Sequence, residues 1–179
     1  LRADPSRRAA ADFFLADVYG DQDFRQRDAD IARVVPRMQK VLPAALLETL
    51  AGGIALAALS HALDLRVAQA LQALAPQPGA LDVALYARAY RQAGHRRLRA
   101  LQIRLIGEVG QGLADALRMP GVGRLLRLSR LPARAAGLGA LQSFLERGFA
   151  AFAELDDAEA FIADICVGET RVMQRLFAA

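Results

Sequence analysis

The sequence predicts an all-α fold, a single-domain antiparallel bundle of six or seven helices over residues 1–179 with a buried central helix. Apolar residues recur at helical spacing along nearly the whole chain. β-branched residues are few, and no Asn-Gly or Asp-Gly turn joins two alternating runs. A chain of 179 residues that is 54% hydrophobic is long and apolar enough to form one core.

Two helices are predicted in the N-terminal part of the chain. The first covers residues 7–19 and ends at Gly20, a residue typical of a helix C-terminus. Asp23 caps the second helix, because Gln26 stands three residues later and completes a capping-box pattern. Pro36 should bend or break this helix, since proline lacks the backbone N–H that a helix interior needs.

The predicted central helix covers residues 43–74 and starts at a proline that suits a first helical position. It is apolar on several faces, which is typical of a helix surrounded by others. The stretch 42–63 contains one formal charge, Glu48, and is long enough to cross a bilayer. Its high alanine and glycine content favours a central helix in a soluble protein, so we expect no membrane partner.

Further helices are predicted after the loop at residues 76–79. A long helix over residues 85–117 shows a possible interruption near Gly94, and Met119-Pro120-Gly121 ends it. A short helix over residues 122–131 leads to a turn around Pro132 and Gly137. The last helix is predicted to be capped by Asp156, with Glu159 at the box position. The apolar positions of the helix before it are Leu141, Phe144, Leu145, Phe149 and Phe152.

Several chemistries are excluded by residue type. The two histidines, His61 and His95, do not follow a glutamate by three residues, so a di-iron carboxylate site is not expected. One cysteine and two histidines do not complete a structural zinc site. No nucleophile motif occurs, and Cys166 lies on an apolar helix face where its thiol should be protonated and inert. We therefore expect a non-enzymatic protein without a cofactor or a metal.

The predicted location is the cytoplasm. A single cysteine does not form an intramolecular disulfide, which fits a reducing compartment. Residues 1–15 carry five charges and contain no apolar run, so they do not resemble a signal peptide.

His61 is the candidate pocket residue. It lies on the predicted central helix among Leu50, Ile54 and Leu65. An imidazole there is either an axial ligand to a haem or, more often, a neutral core histidine bonded to a carbonyl or carboxylate.

Arginine supplies 22 of the 23 basic residues. Eleven of these arginines and only two acids lie in the segment 85–135. At 100° per residue, Arg124, Arg127 and Arg130 share one arc of the short helix. The opposite arc is expected to hold Val122, Leu125, Leu126 and Leu128. Together with Arg134, these arginines are the candidate anion-binding residues. Such a helix can lie on an anionic membrane, hold phosphate or contact nucleic acid, or it is an ordinary surface helix whose arginines meet acidic residues elsewhere.

Three glycines interrupt a good helical pattern at positions 107, 110 and 112. Each costs about 1 kcal/mol relative to alanine in a helix interior. Close approach of another helix is the favoured explanation, and a kink beside a ligand pocket is the alternative.

A longer motif lies near the N-terminus. It runs Phe13-Phe14-Leu15-Ala16-Asp17-Val18-Tyr19-Gly20 and is followed by Arg27 and Asp28. With the C-terminal stretches 137–149 and 171–177, it resembles the signature of the FFLEELY-motif proteins, an uncharacterised bacterial family. The sequence departs from that signature at residues 16–18, where the motif has Glu, Glu and Leu. The resemblance implies a bacterial setting and no activity, and an ion pair between Asp17 and Arg27 is expected on physical grounds.

The leading functional hypothesis is a helical binding or scaffold protein that forms a homodimer, since its glycine-rich and apolar helix faces exceed what one small bundle covers. The second is a bundle with an internal pocket for an apolar molecule whose anionic head meets the candidate arginines. The third and weakest is nucleic-acid binding through the segment 85–135.

Overall fold

The structure, a computed structural model, describes residues 4–18, 44–77 and 79–178. Within these ranges the chain is all-α and has no strand, which confirms the predicted class. A 3-10 turn over Pro5–Arg7 precedes the first helix and a π-helical turn over Phe14–Val18 follows it. The second predicted helix, from Asp23 to Pro36, lies outside the described residues. The described helices are α1 (Arg8–Phe13), α2 (Ala44–Leu74), α3 (Val83–Ala93), α4 (Arg96–Arg118), α5 (Val122–Leu128), α6 (Arg130–Ala135), α7 (Gly139–Ala153) and α8 (Ala158–Ala178).

The interruption predicted near Gly94 separates α3 from α4. Gly94 and His95 both have a positive φ, 69° and 62°, which is incompatible with a continuous right-handed helix. Glycine takes this conformation without steric cost, and histidine is one of the few other residue types enriched there.

The predicted turn around Pro132 and Gly137 is confirmed at Gly137, but its extension to Pro132 and the single short helix before it are wrong. Pro132 is the third residue of α6, and the turn comes later, at Gly137, whose φ is 73°. The first turn of a helix accepts proline because its N–H groups have no carbonyl partner within the helix. The described residues therefore contain eight helices, one more than the upper expectation.

The cap of α8 is displaced by one residue from the predicted position. The Asp157 carboxylate accepts the backbone N–H of Ala160 at 2.8 Å, so Asp157 is the capping residue and not Asp156. Glu159, predicted to reach back to the cap, instead accepts a hydrogen bond from Arg118 at 2.7 Å.

The chain divides into two compact units. One contains Gly110–Phe161 and the described residues of Leu1–Leu50, and the other contains Ala51–Val109 and Ile162–Ala179. The predicted single domain over 1–179 stays a prediction.

Aromatic rings form the core of the first unit. Phe13 packs on Phe144 with ring centroids 5.4 Å apart. Phe14 lies 6.0 Å from Phe152 and 5.9 Å from Phe161. Because Phe152 and Phe161 are almost completely buried, α1 and the following turn are held against α7 and the start of α8 by ring contacts.

The core of the second unit joins α2, α3 and the end of α8. Val67 and Ala70 of α2 are buried with Ala89 and Tyr90 of α3. The Tyr90 ring meets Phe177 edge to face, with centroids 5.1 Å apart. The C-terminal half of α2 is therefore anchored by one buried face.

The expected burial of the central helix along its length is wrong. Only Leu63, Val67 and Ala70 of α2 are buried. Among the described residues, α2 alone is long and apolar enough to span a membrane, with a mean hydropathy of 1.5, and only 6% of its most apolar window is buried. Hydropathy does not predict burial here because the helix is rich in alanine, whose small side chain removes little area from water.

Glycines set the spacing between α2 and α4. A Cβ on Gly112 would lie 2.1 Å from the Thr49 Oγ1 atom, and one on Gly52 would lie 3.2 Å from a Val109 methyl group. A Cβ on Gly107 would lie 3.4 Å from the Cys166 Sγ atom. Close helix approach, the favoured explanation for the glycines of α4, is confirmed at Gly112.

Two glycine-to-alanine substitutions should change stability in opposite directions. Gly112→Ala should lower the free energy of unfolding by about 1 kcal/mol or more, because the added methyl group overlaps Thr49. Gly53→Ala should raise it by about 0.5 to 1 kcal/mol, since nothing lies within 4 Å of its Cβ position and alanine is the better helix former. Urea unfolding of both variants measures this, and a stabilised Gly112→Ala would contradict the close approach.

Candidate functional site

The arginine-rich segment 122–135 lies on the surface of the first unit. We call the exposed side of α5 and α6 the arginine–leucine face; it comprises Arg124, Arg127, Leu128, Leu131 and Arg134. All five residues are exposed. Leu128 is 67% exposed and Leu131 is 76% exposed. The expectation that Leu128 lies opposite the arginines is therefore wrong, because it follows Arg127 directly and Arg124 by one turn.

Arg130 does not join this face. Its Nε donates to Glu146 Oε1 at 2.6 Å, and the Gln142 amide donates to the same oxygen at 2.8 Å. These two hydrogen bonds, the one from Arg130 first, hold the pKa of Glu146 below its usual value near 4.5. Of the four predicted anion-binding arginines, Arg130 is therefore already paired with a carboxylate of α7, and the other three are exposed.

Hydrogen bonds fix the opposite side of the segment. The Gln142 amide donates to the Leu126 carbonyl at 2.7 Å, and the Ser129 hydroxyl donates to Gln142 Oε1 at 3.1 Å. Gly123 lies against Phe149, with 3.2 Å between its Cβ position and the ring. The arginine–leucine face is therefore presented by a segment that α7 holds in place.

The candidate pocket residue His61 lies at the surface of α2. His61 is exposed on α2, since it points away from Leu63 and Val67, which carry the buried face. One open depression is lined by Cys166, Thr170 and Gln174 and another by Leu71, Pro76 and Leu85, and neither includes His61 or the candidate arginines. The exposure contradicts a core histidine at this position, and the role of haem ligand stays a prediction.

The Phe-Phe-Leu motif serves packing where it is described. Phe13 is buried, and a Cβ on Gly148 would lie 2.9 Å from its ring. Leu15, by contrast, is 52% exposed. The side chain of Asp17 lies outside the described part of the structure. The residues Tyr19, Arg27 and Asp28 lie outside it as a whole, and so does the expected ion pair between Asp17 and Arg27.

Sequence reasoning missed the most buried charge in the described chain. Arg99 of α4, which the helical pattern places on a polar stripe, is only 8% exposed. Its guanidinium lies 4.7 Å from the centre of the Tyr90 ring and donates to the Leu63 carbonyl at 3.3 Å and to Gln102 Oε1 at 3.1 Å. Asp64 completes the cluster at 3.6 Å. The guanidinium thus has two hydrogen-bond acceptors, a carboxylate and an aromatic ring beside it, which indicates a structural role.

A signal for this cluster does exist in the sequence. Residues three or four apart lie next to each other on one face of a helix. Ser60 and Asp64 are four residues apart on α2, and Arg99 and Gln102 are three residues apart on α4. The Gln102 amide donates to the Ser60 hydroxyl at 2.7 Å, which links the two pairs. Only the packing of α2 on α4, which sequence spacing does not reveal, brings the pairs together.

The same side of α2 carries a second contact to the α3–α4 junction. The Arg66 guanidinium contacts Nε2 of His95. The contact joins α2 to the residue whose positive φ separates α3 from α4.

A comparison with protein families gives a match over the full chain. The profile of a domain of unknown function, DUF8198, matches residues 1–179. The chain belongs to the DUF8198 family. No curated protein and no solved structure shows significant similarity to it.

The cysteine of this DUF8198 chain is half-buried on α8. Burial raises the pKa of the Cys166 thiol, and the negative charge of Glu169 raises it further. The thiol lies 3.7 Å from the Ile103 carbonyl, to which it donates. A protonated thiol at neutral pH is a weak nucleophile, as the sequence predicts.

Removal of the Arg99 charge should destabilise the second unit. Arg99→Met leaves the Leu63 carbonyl and Gln102 without a donor, and it should lower the free energy of unfolding by about 2 kcal/mol. Arg97→Met is the matched control, since Arg97 is exposed two residues earlier and should change stability by less than about 0.5 kcal/mol. Equal stabilities of the two variants in urea unfolding would refute a structural role for Arg99.

The Glu146 contact should make stability depend on acid. Because the pKa of Glu146 is lower in the folded protein, its contribution is present above about pH 4.5 and is lost as pH falls through the lowered value. The stability difference between the wild type and Glu146→Gln should therefore shrink between about pH 5 and pH 3 in urea unfolding. In an Arg130→Gln background, most of this pH-dependent difference should vanish. A difference that is constant with pH would contradict the assignment.

Proposed function

We propose that this protein is a non-enzymatic helical scaffold of the bacterial cytoplasm, a member of the FFLEELY-motif proteins, and that it self-associates as a homodimer through α2. The observation that carries the proposal is the exposure of the apolar part of α2, whose most apolar window is 6% buried. An apolar helix surface of this length in water is a favourable site for burial against a partner.

The exposed side of α2 has the spacing of a helix–helix seam. Ala51, Ala55, Ala58, Ala62 and Leu65 are exposed and recur after four and three residues in turn. We call these five residues the alanine stripe. A mean repeat of 3.5 residues keeps one side of a helix against a partner helix over several turns. Alanine at these positions permits a short distance between the two helix axes.

A second copy of the chain fits the alanine stripe better than a bilayer does. The uncharged part of α2, residues 49–63, is about 22 Å long at 1.5 Å per residue. The hydrocarbon core of a bilayer is about 30 Å thick, so a spanning helix would bring Glu48 or Asp64 into it. The same side of a second α2 has matching small residues and no charge to bury between Ala51 and Leu65.

The two other hypotheses have less support. An internal site for an apolar ligand with an anionic head would need the arginines to converge on a cavity, whereas Arg130 is bonded to Glu146 and the others point to solvent. The positive charge of the segment 85–135 still favours nucleic-acid binding. Arg99 does not add to that charged surface, however, because it is buried and hydrogen-bonded within the chain.

A charge in the alanine stripe should weaken self-association. Ala55→Glu places a carboxylate at the middle of the stripe, and it should raise the dimer dissociation constant by about tenfold or more, because the charge must be desolvated. Sedimentation velocity over a series of protein concentrations measures the constant.

Ala68→Glu is the matched control. Ala68 is exposed on the same helix about 140° away from Ala55, so an identical substitution there should leave the dissociation constant unchanged. A wild-type chain that is monomeric at all concentrations, or equal effects of the two substitutions, would overturn the proposal. Insertion of α2 into a bilayer would appear instead as membrane association that survives high salt.

A further inference from the structure

The arginine–leucine face combines unpaired positive charge with exposed apolar side chains. Among the described residues, Arg124 and Arg127 have no carboxylate within ion-pair distance, whereas Arg104, Arg118 and Arg130 each pair with one. No acid occurs in the segment 122–135. The charge on this face is therefore available to a partner.

The leucines of the face are not accounted for by packing within the unit. Leu131 and Leu128 are among the most exposed large apolar side chains, at 76% and 67%. Each directly follows an arginine in the sequence, Arg127 or Arg130, while Val122, Leu125 and Leu126 are partly buried on the inner side. Flexibility does not explain this exposure, since the Gln142 and Ser129 hydrogen bonds fix the inner side of the segment.

We propose that the arginine–leucine face binds the surface of a membrane that contains anionic phospholipid. The guanidinium groups contact phosphate groups of the lipid, and Leu128 and Leu131 enter the boundary between headgroups and acyl chains. The face is too short to cross the membrane and lies parallel to its surface.

The leucines distinguish a membrane from a nucleic acid as the partner. Phosphate contacts to a nucleic acid use the arginines alone, and single-stranded binding adds aromatic side chains that stack on bases. The segment 122–137 contains no aromatic residue. Two exposed leucines among arginines therefore match a surface that offers both phosphate and hydrocarbon.

The test is co-sedimentation of the full chain with lipid vesicles. One set contains phosphatidylcholine with about 30% phosphatidylglycerol, and the other contains phosphatidylcholine alone. We expect binding to the anionic vesicles that is about tenfold tighter or more and is lost at about 0.5 M salt. Leu128→Ser/Leu131→Ser and Arg124→Gln/Arg127→Gln should each weaken it by about tenfold or more.

Matched double variants serve as controls. Leu81→Ser/Val83→Ser removes two other apolar side chains that are 61% and 82% exposed, and Arg88→Gln/Arg97→Gln removes two other exposed arginines. Both should bind like the wild type. Equal affinity for the two vesicle types, or wild-type binding by the leucine variant, would overturn the proposal. Tight binding to an oligonucleotide that depends on the arginines and not on the leucines would assign the face to nucleic acid instead.

The membrane proposal does not depend on the alanine stripe, because it uses residues of α5 and α6 only. Ala55→Glu should therefore leave vesicle binding by each chain in place while it changes the oligomeric state. If the leucine variant remains a dimer but loses vesicle binding, the membrane contact is separate from self-association.

Discussion

The packing of a few aromatic rings determines the core of each unit. Only 6% of the residues are aromatic, and alanine and leucine make up much of the remaining apolar content. In the first unit the rings of Phe14, Phe152 and Phe161 meet at centroid distances near 6 Å. In the second, Tyr90 packs on Phe177. Because rings bury the largest area per residue, helices that supply them become the inner ones, and the alanine-rich part of α2 does not.

The fold class follows from periodicity, but the position of each helix in the core does not. Repeated apolar spacing of 3.6 residues predicts helices whether or not they are buried, so the all-α class and the break at Gly94 could be predicted. The burial of α2 could not, since it depends on which neighbours reach it. The ends of helices are also predicted only to within a few residues from proline and aspartate. Pro132 lies inside a helix, and the cap of α8 is Asp157 and not its neighbour.

The candidate site was predicted by composition and corrected by geometry. The concentration of arginine in the segment 85–135 is plain in the sequence, and it does contain the exposed arginine–leucine face. Yet arginines of this segment lie in three different environments: Arg99 is buried against Tyr90, Arg130 is bonded to Glu146, and Arg124 is exposed. Sequence spacing does not predict which environment an arginine has, since each environment depends on whether another helix supplies an aromatic ring or a carboxylate.

Two surfaces with different chemistry remain exposed, and ionic strength affects them in opposite ways. The contacts proposed for the alanine stripe would bury apolar area without charge, so salts that are excluded from protein surfaces should leave them intact or strengthen them. Contacts of the arginine–leucine face depend on attraction to phosphate, which is screened over about 8 Å at physiological salt and over less as salt rises. The two proposals together therefore imply that added salt releases the protein from the membrane without separating its subunits. This expectation rests on the absence of formal charge at residues 49–63 and on the absence of acids between Val122 and Ala135.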